Sequence, residues 1–110
     1  MNAPKSKERV LVVDGNWQIS GYFARVLSAA GYEVVKVDTA KEALDVVAGD
    51  KGGFDLVISE VFFKREMNGP TLLRELRKAG REMRCIFVSG YSEDGVRKPL
   101  HENEEYAFLQ

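Results

Sequence analysis

Apolar and polar positions alternate in blocks along the chain. Short β-branched or apolar runs occur at Arg9–Val13 (RVLVV), Glu33–Val37 (EVVKV), Asp55–Ser59 (DLVIS), Cys85–Ser89 (CIFVS) and Tyr106–Leu109 (YAFL). Three of them are almost continuously apolar, the pattern of strands covered on both faces. Between them, apolar residues recur at helical spacing. Ile19, Tyr22, Phe23, Val26, Leu27 and Ala30 form one such set, which stops at Gly31. Thr39 with Glu42 three residues later is a capping box, and it opens a helix carrying Ala43, Leu44 and Val47. Pro70 suits a first helical turn, and Leu72, Leu73 and Leu76 follow before Gly80. Ser92 with Glu93 and Asp94 opens a fourth helix with Val96 and Leu100 on its apolar face. The polar segment His101–Glu105 reads as a solvated helix end or loop, with His101 a surface residue.

The order βαβαβαβαβ predicts an α/β domain, a parallel five-stranded sheet with helices on both faces and right-handed crossovers. In the flavodoxin-like strand order 2-1-3-4-5, strands one and three are neighbours at the switch point where such folds place their chemistry. Their carboxyl ends carry Asp14 and Glu60, and the fourth strand ends in Ser89-Gly90. Two carboxylates and a hydroxyl are therefore expected to converge on one crevice. Two acidic side chains and a backbone carbonyl suit a hard cation. Asp14 and Asn16 equally suit a plain helix cap.

Composition narrows the picture. At 110 residues, 45% hydrophobic and 30% charged, the chain fits one soluble domain rather than disorder. A net charge of −1 supplies no field toward nucleic acid or an anionic membrane. No apolar run approaches ~20 residues, so no membrane span is expected. The start MNAPKSKER has no apolar centre and is not a secretory signal. Residues 1–8 are expected to form a flexible tail ahead of a domain over 9–110, and the setting is expected to be cytoplasmic. Cys85, the one cysteine, excludes a disulfide framework and reads as a buried thiol. Arg74, Arg77, Lys78, Arg81 and Arg84 are interleaved with Glu75 and Glu82 and accompany no recognition motif, so no nucleic-acid partner is expected. The first turn, DGNWQISG, has no glycine-rich phosphate cradle, and Trp17 would crowd a flavin or nucleotide.

Three segments carry a resemblance. VLVVDGNWQISGYFARVLSAAGYEV resembles the start of a response-regulator receiver domain (CheY-like, two-component signalling), and FDLVISEVFFKREMNGPTLLRELRKAG and MRCIFVSGYSEDG resemble its middle. The wording NGPTLLRELR and FVSGYSED is similar to the receiver at the end of the cell-cycle hybrid histidine kinase of alphaproteobacteria. The resemblance runs from Arg9 to the last residue. It implies that the phospho-accepting aspartate aligns with Glu60, that metal ligands would be Asp14, Glu60 and the carbonyl of Phe62, and that Ser89 and Phe108 hold the switch positions. The chain departs from the family at several points. Gly15 stands where a second acid is usual. The loop from Glu60 to Gly69 is one residue longer and carries Lys64 and Arg65. The family's lysine would fall one position past Gln110, and the fifth helix is expected to be missing.

Phosphoryl transfer to a carboxylate depends on positioning and charge stabilisation. The extra methylene of Glu60 displaces its oxygen by about a bond length, and a misplacement of ~1 Å can cost about a hundredfold in rate. With Gly15 in place of an acid, the magnesium site is expected to be weak or lost, with no other cofactor and no catalytic residue. Two alternatives stay open for Glu60: reaching toward Ser89 in imitation of a phosphorylated aspartate, or pairing with Lys64 or Arg65. Without a fifth helix, strands near Leu11, Val13 and Val57 and the face of the first helix are expected to lie partly bare. Trp17, Tyr22, Phe23 and Val26 are then the expected partner-binding surface, covered by a second copy or another protein. The expected function is a degenerate, non-phosphorylatable stand-alone receiver. It would act as an interaction module, not an enzyme, toward a histidine kinase, a phosphotransfer protein or another receiver, and as a homodimer. The alternative is a magnesium-dependent receiver that is still phosphorylated.

Overall fold

The computed structural model describes residues 8–49, 53–61, 67–78, 83–88 and 106–109. The expected fourth helix, the stretch around His101 and the tail over 1–7 lie outside them. In chain order the elements are β1 (Arg9–Val13), α1 (Trp17–Ala29), β2 (Glu33–Val37), α2 (Ala40–Gly49), β3 (Leu56–Glu60), α3 (Gly69–Lys78), β4 (Arg84–Val88) and β5 (Ala107–Leu109). The strands form one sheet in the order β2-β1-β3-β4-β5, and every neighbouring pair is parallel. This is the flavodoxin-like order expected from the alternation of blocks.

Strand limits differ from the apolar runs by a residue. Asp55 lies before β3 rather than in it, because its carboxylate accepts the Arg9 backbone N–H at 2.8 Å. Glu60 is the last residue of β3. β4 begins at Arg84 and ends at Val88, and β5 begins at Ala107 rather than Tyr106. Arg9 fastens this amino-terminal end of the sheet. Its guanidinium donates to the Gly53 carbonyl at 3.0 Å, lies 3.4 Å from the Glu33 carboxylate and sits 4.4 Å over the Phe54 ring.

The period-two alternation of a strand divides the core between two faces. On one, Leu11, Val13, Val57, Cys85 and Phe87 pack with Ala43 and Val47 of α2 and Leu72, Leu73 and Leu76 of α3. Each fully buried aliphatic or aromatic side chain there contributes about 1.5–3 kcal/mol. On the other face, Val10, Val12 and Ile58 lie under Phe23 and Leu27 of α1, and Leu56, Ile86 and Val88 are only partly buried. The expectation that Leu11, Val13 and Val57 would be bare is therefore wrong. They have the parity of the face that α2 and α3 cover, and all three are buried. The incompletely covered residues are their neighbours of opposite parity.

Helix ends follow local chemistry. Asn16 caps α1, its side-chain oxygen accepting the N–H groups of Gln18 and Ile19 at 3.0 and 3.4 Å. Gly31 follows α1 with φ of 100°, a left-handed conformation that glycine tolerates without a Cβ penalty. Thr39 Oγ1 accepts the Glu42 N–H at 3.1 Å, as the capping box requires. Asn68 accepts the Thr71 N–H at 2.9 Å at the start of α3, and Arg77 and Lys78 stand in its last turn, where the helix dipole favours cations.

Candidate functional site

The pairing of Val13 with Ser59 brings the carboxyl ends of β1 and β3 side by side. Asp14 follows immediately and is buried. Its N–H donates to the Val37 carbonyl at 3.1 Å, and its Oδ1 accepts the Asn16 N–H at 2.8 Å. Burial raises the Asp14 carboxyl above its ordinary value by stripping water from the charged form, and the Asn16 N–H opposes this in part. Asp14 thus braces the loop into α1, while the cap itself is Asn16.

Glu60 is half-buried and reaches across to that loop. Its Oε1 accepts the backbone N–H of Gly15 at 3.1 Å. Gly15 is not crowded: a Cβ there would lie 3.6 Å from the Asp38 carbonyl and 3.9 Å from Glu60 Oε1, ordinary contact distances. Beneath Glu60 the packing is far tighter. The Ser59 hydroxyl donates to the Glu60 carbonyl at 2.8 Å. Gly69, the first residue of α3, donates its N–H to the Val61 carbonyl at 2.7 Å. A Cβ on Gly69 would collide with the Glu60 carbonyl and come within 3.0 Å of the Phe87 ring. The absence of a side chain at position 69 therefore lets α3 close against the end of β3.

Among the residues expected at the site, Asp14 and Glu60 do converge. Trp17 begins α1 and is 76% exposed. Tyr22 and Val26 are also exposed, whereas Phe23 turns inward onto the sheet. Phe108 is partly buried in β5 against the core on the α2 and α3 side. Phe62, Lys64, Arg65 and Ser89 lie outside the described residues, so all three expected partners of Glu60 do too. Sequence reasoning missed the Gly15 N–H. The one available signal was Gly15 itself, in a loop beside the end of β3.

The family model of the response regulator receiver domain matches residues 10–110. The chain belongs to this family. It is similar to the sensor kinase CckA of Brucella abortus (strain 2308), with 39% identity over 100 residues that make up 91% of this chain and 10% of that protein. It is also similar to the CAI-1 autoinducer sensor kinase/phosphatase CqsS of Vibrio cholerae, with 30% identity over 96 residues, 87% of this chain and 14% of that protein. The chain thus spans a small part of the curated relatives it matches. Among solved structures, it resembles the receiver domain of the hybrid histidine kinase CckA, with a TM-score of 0.73 and 34% identity, covering 92% of this chain and 82% of that one. It also resembles the signal receiver domain of an HD domain-containing protein from Pseudomonas fluorescens Pf-5, with a TM-score of 0.83 and 26% identity, covering 99% and 79%. The protein is therefore a receiver domain of two-component signalling, a type of module that generally signals rather than catalyses.

Receivers imply a magnesium ion at the carboxyl ends of β1 and β3. Among the described residues, the side chains placed to hold one are Asp14 and Glu60. No group of three or more His, Cys, Asp or Glu side chains among the described residues is arranged to hold a metal. Burial raises the Asp14 carboxyl above its ordinary value, Gly15 has no side-chain ligand, and Glu60 Oε1 already accepts an N–H. Magnesium is usually held by one or two carboxylates with several waters, and here an oxygen of one of the two candidate carboxylates, Glu60, is engaged by the Gly15 N–H. Among the described residues, no helix is long and apolar enough to cross a membrane.

Proposed function

We propose that this receiver is a phosphorylation-silent interaction module, which binds a histidine kinase, a phosphotransfer protein or another receiver without accepting a phosphoryl group. The observation that carries the reading is the hydrogen bond from the Gly15 N–H to Glu60 Oε1. The longer side chain at the acceptor position spans the crevice and ties β3 to the loop after β1. A nucleophilic carboxylate must instead present an oxygen in line with phosphorus, beside a metal. An aspartate at position 60 would end about 1.5 Å short, leaving its oxygen about 4.5 Å from the Gly15 nitrogen and outside hydrogen-bond range. Glu60 is thus committed to a structural contact that an aspartate could not make.

The rest of the site supports the same reading. Gly15 lacks the side-chain ligand that would help draw a cation in. With the crevice tied across, the fold is held in one state, and a partner reads a constant surface rather than a switch. A cytoplasmic location follows from that choice of partners. The test is the intact mass of the full chain after incubation with acetyl phosphate and magnesium, beside a phosphorylatable receiver as a positive control. The proposal expects an unmodified mass. A magnesium-dependent phosphoryl adduct on Glu60 overturns it.

A further inference from the structure

Of the four asparagines in the chain, only Asn68 is followed by glycine. An asparagine side chain before glycine is open to attack by the next backbone nitrogen, because glycine has no Cβ to hinder the approach and a freely turning backbone. The structure gives each residue of the pair a reason to be there. Asn68 caps α3: its Oδ1 accepts the Thr71 N–H at 2.9 Å, and its carbonyl accepts the Leu72 N–H at 2.9 Å. Gly69 is buried, and its missing side chain makes room for the Glu60 carbonyl and the Phe87 ring. The same geometry closes the reaction off. The Gly69 N–H must lose its proton before the nitrogen can attack, and that proton lies in a 2.7 Å hydrogen bond to the Val61 carbonyl. The Asn68 side chain is meanwhile held on Thr71 by the cap.

We propose that Asn68–Gly69 is a site of spontaneous covalent modification that the fold keeps shut, and that it reacts only when the start of α3 lifts from the end of β3. In the open state a base takes the Gly69 amide proton, and the nitrogen bonds to Asn68 Cγ. The Cγ–Nδ2 bond breaks, and ammonia leaves with the proton returned to it. The product is a five-membered cyclic imide. Water then opens the ring at one of its two carbonyls. Opening at Cγ leaves an ordinary aspartate. Opening at the backbone carbonyl leaves an isoaspartate, in which the chain runs through Cγ and is one methylene longer. The two products act differently on the junction. Aspartate caps a helix as well as asparagine does, and its charge suits the positive end of the helix dipole. Isoaspartate turns the carbonyl that accepts the Leu72 N–H into a carboxylate off the chain. Its extra methylene also moves Gly69 out of its bond to Val61 and its fit against Phe87. Isoaspartate therefore holds open the junction beneath Glu60, whereas aspartate lets it close.

The inference does not depend on whether Glu60 accepts a phosphoryl group, and its test reads the Asn68 amide. The full chain is held in mildly alkaline buffer, both native and in urea above its unfolding transition. Conversion of amide to acid is followed by mass spectrometry of the tryptic peptide Glu66–Arg74. Asn16, also a helix cap but followed by Trp17, is the internal reference. In the unfolded chain Asn68 should convert well ahead of Asn16. In the native chain its conversion should be at least about tenfold slower than in the unfolded one, as for a group that reacts only through local opening. Urea below the global transition should speed it, in step with hydrogen exchange of the Gly69 amide. Asn68→Ser keeps a capping oxygen and should show no mass gain in this peptide. After partial conversion, the isoaspartate fraction should melt below the wild type, while Asn68→Asp melts with it. Conversion as fast in the native chain as in the unfolded one overturns the inference. So does an unfolded chain in which Asn68 converts no faster than Asn16, or an isoaspartate fraction that melts with the wild type.

Discussion

Shortening Glu60 by one methylene isolates the contact on which the silent-site reading rests. Glu60→Asp keeps the charge beside Asp14 and changes only reach. The Oε1 to Gly15 nitrogen distance of 3.1 Å would open to about 4.5 Å, and the bond would be lost. A hydrogen bond to a charged group contributes about 1.5–3 kcal/mol when shielded. Glu60 is half-exposed and water can replace part of the interaction, so the expected loss is about 0.5–1.5 kcal/mol. With a urea m-value of about 1.5 kcal/mol/M for a domain of this size, the midpoint should fall by roughly 0.3–1 M. Glu60→Gln retains an acceptor oxygen at the same reach, so it should lose less than Glu60→Asp. Urea titration followed by far-UV circular dichroism reads both. The reasoning is refuted if Glu60→Asp matches the wild-type midpoint, or if Glu60→Gln falls below Glu60→Asp.

Other consequences are checked in the same way. Gly69→Ala should destabilise by about 1–3 kcal/mol through overpacking against the Glu60 carbonyl and Phe87. The same change at Gly21, mid-helix with nothing within 4 Å of the new Cβ, should stabilise by about 0.5–1 kcal/mol; urea midpoints of equal sign would contradict both. Asp14 holds its proton more tightly folded than unfolded, so its contribution is fullest below the ordinary value of 3.8 and is lost as pH rises through the higher folded value. Asp14→Asn keeps an acceptor for the Asn16 N–H and should gain on the wild type across that rise, whereas parallel stability–pH curves between pH 3 and 7 would exclude the effect. Burial pushes the Cys85 thiol up to about 12 against a smaller pull from Arg77, so a disulfide reagent at pH 8 should label it only through unfolding. Rapid labelling of the native protein would show an open thiol.

Much of the architecture was legible in the sequence because parallel strands buried on both faces leave continuous apolar runs, and α/β alternation leaves few topologies. Asn16, Thr39 and Gly31 marked helix ends because each meets a local need of the backbone. Face assignment was harder. Leu11, Val13 and Val57 share a parity, yet nothing local says which parity α1 covers; that depends on how the crossover packs. Phe23 and Tyr22 are neighbours in sequence but about 100° apart around the helix, so one reaches the sheet and the other faces water. The position of Glu60 at a strand end could be read directly. Its partner could not, because a backbone N–H carries no sequence signature, and charged side chains such as Lys64 and Arg65 drew attention instead. The close approach of Gly69 to Glu60 was hidden for the same reason, since any residue fits a helix start until its neighbours are known.

The most direct test of the silent-site account is the Gly15 amide resonance in a proton–nitrogen correlation spectrum of the wild type, recorded alone, with millimolar magnesium, and with magnesium and acetyl phosphate. The account predicts one position in all three spectra, with slow exchange, and a shift with faster exchange in Glu60→Asp. A Gly15 resonance that moves with magnesium and again with acetyl phosphate would contradict it, because the crevice would then be binding the ion and the phosphoryl group that Glu60 is held to exclude.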